Sequence, residues 1–105
     1  MSYENDPIIK SDYSLEFDNI RRKMVMTSHY KYGSARDNFA SGRVDAIATA
    51  KLCIDQFEKD GNTEHLCDAA NYLMFRFKYP YPGEEYRSTG SNESVGTVGT
   101  PVNME

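Results

Sequence analysis

Apolar side chains recur along this chain mostly at intervals of three and four residues, the period of an amphipathic α-helix. Phe17, Ile20, Met24 and Thr27 form a first stripe, in a helix that begins between Ser11 and Ser14. Asp12 or Ser14 is placed to cap it, and Glu16 and Asp18 favour the positive end of its dipole. This helix is expected to fade near Ser28 to Tyr30. Val44, Ile47, Ala50, Ile54 and Phe57 trace a second stripe, predicting a helix from Ser41 or Gly42 to Asp60, with Gly61 as its stop. Leu66, Ala70, Leu73 and Phe77 trace a third, started by Asn62 or Thr63 and ended by Pro80 and Pro82, which cannot donate a helical hydrogen bond.

The intervals between the stripes have no such period. Residues 29–39 include Gly33 and read as an ordered connector with room for a short helical turn. After Gly83 the chain turns to Gly, Ser, Thr, Asn and Glu, a composition too polar to offset its own ordering entropy. Val95, Val98 and Val102 interrupt it at even spacing, which suits an arm wrapped over its own body or over a neighbouring subunit. The expected fold is therefore all-α: an N-terminal extension over 1–11, a three-helix domain over 12–82, and an extended tail or arm over 83–105.

Size sharpens this picture. A helical body of about 70 residues sits near the lower limit for a self-sufficient core. Tyr72, Phe75, Tyr79 and Tyr81 exceed what such a core is expected to hold, so the chain reads as a homo-oligomer. Cys53 and Cys67 lie inside helices without metal-site spacing and read as small core residues. No apolar run approaches the roughly 18 residues of a bilayer span, and the polar start at residues 1–6 lacks signal-peptide character. The compartment expected is a reducing cytoplasm.

Charge adds a direction. The net charge is −4, which argues against a general nucleic-acid binder. Between Ile20 and Arg43, however, six cations face one acid, Asp37, a local charge of +5. An acidic chain with one basic stretch suits a compact anion better than a long polyanion. Arg21, Arg22 and Lys23 read mainly as a solvated helix face, with Arg22 four residues after Asp18 and so placed for an ion pair.

Two constellations could carry chemistry. In the connector, Lys31 and Arg36 supply charge for phosphate, Tyr30, Tyr32 and Phe39 supply faces for a base, and Ser34 and Asn38 supply polar edges. The alternative is structural: the rings close the core and Arg36 pairs with Asp37 or Asp68. On the third helix, Glu64, Asp68 and Asn71 stand at i, i+4 and i+7, a polar ridge able to hold Mg²⁺ through oxygen. Its alternative has Glu64 serving the helix dipole, Asp68 pairing with a cation of another helix, and Asn71 bonding the connector backbone. His29 and His65 receive no role.

The run Glu64-His65-Leu66-Cys67-Asp68-Ala69-Ala70-Asn71-Tyr72-Leu73-Met74, with the turn Tyr30-Lys31-Tyr32-Gly33, resembles small helical proteins of phages and prophages. Residues 89–96 resemble the tails of the same group. More distantly, the third helix is similar to the last metal-binding helix of MazG-type all-α nucleoside triphosphate pyrophosphohydrolases. That second likeness implies Mg²⁺ at Glu64 and Asp68. The hydrolase pattern also demands an earlier Glu-x-x-Glu pair, where this chain has Glu16 with Asn19, and the second helix offers only Asp45 and Asp55. Half of the metal cage is missing, which weakens hydrolysis and leaves phosphate recognition.

The function expected is binding or sequestration of a small phosphorylated ligand such as a nucleotide or cyclic nucleotide. The phage likeness implies an accessory or counter-defence protein acting in a host cytoplasm. The expected ligand-binding residues are Tyr30, Lys31, Tyr32, Arg36, Asn38 and Asn71, with no cofactor. The alternatives are a Mg²⁺-dependent nucleotide pyrophosphohydrolase and an inhibitor that binds a host protein.

Overall fold

Short polar side chains set the helix boundaries. In the computed structural model, which describes residues 3–90 and 93–99, the Ser14 hydroxyl accepts a hydrogen bond from the Phe17 amide at 3.0 Å and starts the helix Leu15–Tyr32. Asp45 does the same for Ala46–Asp60 through the Ala48 amide at 3.0 Å. That helix ends at Gly61, whose φ of 70° suits the left-handed stop and whose amide bonds the Phe57 carbonyl. Asn62 then accepts from the Glu64 amide at 3.0 Å as Glu64–Lys78 begins. We number these helices α2, α3 and α4, because a short helix α1, Pro7–Asp12, precedes them under an Asp6 cap.

The all-α class is observed: among the described residues there are helices and no strands. The helix count differs from the three expected. α1 and a 3-10 turn at Tyr3–Asn5 occupy what reads from sequence as a plain extension, and a π-helical turn, Arg36–Ala40, lies within the connector. Helix α2 also runs past Ser28 to Tyr32, and Gly33 ends it. Helix α3 starts at Ala46 rather than at Ser41 or Gly42. The reason is local: the Ser41 hydroxyl donates to the Asp37 carbonyl at 2.6 Å, Gly42 takes a φ of 77°, and the Val44 amide reaches back to the Asn38 carbonyl at 2.9 Å.

Helix α4 is the centre of the fold and packs on both α3 and α2. The core is small, with Phe39 stacked on Phe75 at a centroid distance of 4.5 Å and Ala46 closing one side. Tyr72 and Tyr79 pack against this cluster, and Phe75 is buried within it. These aromatics are therefore absorbed by one subunit, contrary to the surplus inferred from sequence.

Of the α4 stripe predicted to be core, Leu66 and Ala70 are half-buried and the C-terminal part is exposed. Leu73 is 49% exposed and Phe77 72% exposed, while Ile54 on α3 is 42% exposed. Helix α4 carries apolar residues on two sides, and the side used is that of Cys67, Asn71 and Phe75 together with Ala69. No helix among the described residues is long and apolar enough to cross a membrane.

After α4 the chain folds back. Arg76 donates from Nε and Nη2 to the two oxygens of Glu84, at 2.8 and 2.6 Å, and lies 3.9 Å from the Tyr81 ring centroid. Beyond this clasp, the described residues carry no helix or strand, and Val95 and Val98 are fully exposed rather than wrapped on the body. Val102 lies outside the described residues. The ion pair expected between Asp18 and Arg22 is replaced by one between Asp18 and Arg21 at 2.9 Å, with Arg22 reaching Asn19.

Candidate functional site

The second half of α2, the π-helical turn and α4 enclose a cavity of about 470 Å³. This is within the usual size range for small-molecule sites. Helix α2 contributes Met24, Val25, Ser28, His29 and Tyr32, in register because the helix continues through Tyr32. The connector contributes Phe39 and Asn38, and α4 contributes Asp68, Asn71, Tyr72 and Phe75. The walls are mainly apolar and aromatic, with a few polar groups among them.

Asn38 holds the connector in place. Its Nδ2 donates to the carbonyls of Tyr32 at 3.2 Å and Ser34 at 3.3 Å, and its Oδ1 lies 3.5 Å from Arg43 Nη1. The side chain thus spans the end of α2 and the start of the π-helical turn. Its role here is to shape the wall.

Asn71 is 5% exposed and donates from Nδ2 to the Arg21 carbonyl at 3.1 Å. This replaces the expected bond to the connector backbone. A carbonyl can only accept, so the end of the amide that meets it is the nitrogen. The other end, Oδ1, is buried and has no protein partner.

Asp68 lines the cavity one turn away and accepts no hydrogen bond among the described residues, so the expected ion pair to another helix does not form. Burial raises its carboxyl pKa, the charge of Glu64 raises it further, and His65 opposes both. The Tyr72 hydroxyl is likewise pushed up, first by burial and then by Asp68. Both cysteine thiols are raised chiefly by burial, which makes neither a ready nucleophile.

Of the ligand-binding residues predicted, the cavity brings together Tyr32, Asn38 and Asn71 and leaves Tyr30, Lys31 and Arg36 outside its lining. Tyr30 is 82% exposed and meets His29 edge-on. Lys31 Nζ lies 5.6 Å from the Tyr32 ring centroid. Arg36 sits over Tyr79 at 5.8 Å and pairs with neither Asp37 nor Asp68. Lys31 and Arg36 nevertheless adjoin in sequence the lining residues Tyr32 and Ala35, and no lysine or arginine lines the interior.

The acidic ridge does not assemble into a metal centre. Asp68 belongs to the cavity and Glu64 does not, and among the described residues no three His, Cys, Asp or Glu side chains gather as ligands. Sequence reasoning missed Met24, Val25, Ser28 and His29 as wall residues. Their signal was the spacing Val25, His29, Tyr32, visible once the helix is carried past Ser28. Comparison with known proteins finds no matching family, no matching characterised protein and no matching solved structure.

Proposed function

We propose that this protein binds a small phosphorylated ligand, a nucleotide or cyclic nucleotide, with its base in the cavity and its phosphate at the basic connector. The observation that carries this reading is an aromatic-walled cavity of about 470 Å³ bordered by the most cationic stretch of an acidic chain. Aromatic faces bind a base whatever its edge, and the exposed cations Lys31 and Arg36 would meet phosphate without the cost of burying charge. Binding without turnover follows from the acidic ridge, because Glu64 and Asp68 alone orient a metal poorly. The resemblance to phage proteins supports an accessory or counter-defence role in which the ligand is held rather than consumed, by a homo-oligomer.

A thermal-shift screen of nucleoside mono- and triphosphates and cyclic dinucleotides, with and without Mg²⁺, tests the reading. At least one should raise the melting temperature independently of Mg²⁺ and be recovered chemically intact. No shift with any nucleotide, or metal-dependent release of monophosphate, contradicts it.

A further inference from the structure

The cavity wall carries one carboxylate among groups able to donate. Asp68 is half-buried there, and no donor among the described residues reaches its oxygens. The hydroxyls of Ser28, Tyr32 and Tyr72 line the same space and also have no hydrogen-bond partner among the described residues. Asp68, Tyr72 and Tyr32 act on one another: the Tyr72 hydroxyl is pushed up first by burial, then by the charge of Asp68, with Cys53 and Tyr32 adding to it. Tyr32 leads outward to the connector, since Lys31 Nζ lies 5.6 Å from its ring centroid. A line of polar groups thus runs from a connector cation, past two tyrosine hydroxyls, to an unpaired carboxylate.

We propose that Asp68 and Tyr72 form a sugar subsite that takes the 2′,3′-diol of a ribose, so that the protein selects ribonucleotides over 2′-deoxyribonucleotides. The inference rests on the nucleotide reading above and adds the sugar; it makes no choice of base. A carboxylate can only accept, whereas a tyrosine hydroxyl can donate or accept. The group that satisfies both must be able to do either, and a sugar hydroxyl can turn to suit. Two vicinal hydroxyls match the two carboxylate oxygens, through hydrogen bonds strengthened by the charge. Phosphate is excluded from this end, because the Asp68 carboxylate would repel it. In a nucleotide the sugar is the group next to the phosphate, so a phosphate at Lys31 brings the ribose past Tyr32 to Tyr72 and Asp68. The apolar wall that includes Val25, Phe39 and Phe75 is left for the base.

The test is calorimetric titration of the full chain with adenosine and uridine 5′-monophosphates, their 2′-deoxy counterparts, and adenosine. Each pair differs only by the 2′ hydroxyl, so the comparison leaves the protein untouched. The ribonucleotide should bind about 10-fold or more tighter than its deoxy form with either base, the scale of one lost charged hydrogen bond. In Asp68→Ala, checked for native helicity, that preference should vanish. Equal or tighter binding of the deoxy form in either pair overturns the subsite and leaves the nucleotide reading standing. A preference that persists undiminished in Asp68→Ala overturns the assignment to Asp68. A ribose preference in the native protein, with adenosine binding as tightly as its monophosphate, supports the subsite and overturns the phosphate site. No binding by any of the five overturns the inference together with the reading it rests on.

Discussion

The Asn71 side chain donates to the backbone carbonyl of Arg21 at 3.1 Å, a bond between residues 50 apart that ties α4 to α2. Removing it leaves a carbonyl of α2 without its cross-helix donor and opens a hole in the wall. Asn71→Ala is expected to lower stability by about 1 to 3 kcal/mol in urea denaturation. A variant as stable as the native protein contradicts the assignment of this bond as the tie between the two helices.

The clasp between Arg76 and Glu84 has a pH signature. Glu84 is held at a pKa of about 2, against an ordinary 4.5, first by the Arg76 hydrogen bonds and then by the Tyr81 amide. A depressed carboxylate stabilises the folded state above its unfolded pKa, and that contribution is lost as pH falls from 4.5 through about 2. The Glu84 carboxyl carbon should titrate near pH 2 by NMR, with the Tyr81 ring resonances moving in step. A midpoint near 4.5 contradicts the clasp.

Asp68 has the opposite sign. Its pKa is raised, so ionisation disfavours the folded state, and the penalty develops as pH climbs above the ordinary 3.8. Asp68→Asn should therefore be more stable than the native protein at pH 7 and no more stable at pH 3. Denaturation midpoints at the two values decide it. A loss of stability at pH 7 in the variant would mean that Asp68 has a favourable partner in solution.

The outer side of α4 predicts association. Leu73 and Phe77 are exposed on one stripe, and a second copy of the same face would cover them. Light scattering should give a mass above the 12.0 kDa of one chain at micromolar concentration, and Phe77→Glu should reduce it. A native mass of 12.0 kDa contradicts this.

How far the sequence could be read depended on the range of the forces involved. The Ser14 cap, the Gly61 stop and the proline end of α4 lie within a few residues of what they act on, and they are legible locally. The start of α3 was misplaced because Ser41 and Asn38 bond the connector backbone and so extend the non-helical turn. Which side of α4 is buried could not be read, since Leu73 and Phe75 are equally apolar and only the position of Phe39 decides between them. The cavity shared this difficulty. Tyr32, Asn38 and Asn71 are legible from residue type, whereas Lys31 and Arg36 group with them by proximity in sequence and stand outside its lining.

The central claim is that the connector cations hold a phosphate whose base occupies the cavity. Titration calorimetry of the nucleotide that raises the melting temperature most, against the native chain, Lys31→Ala and Arg36→Ala, tests it directly. Both residues are exposed, so the fold should persist in each variant. Each substitution is expected to weaken binding by about 1 to 3 kcal/mol, the loss of one charged hydrogen bond. Unchanged affinity in both variants would contradict the account.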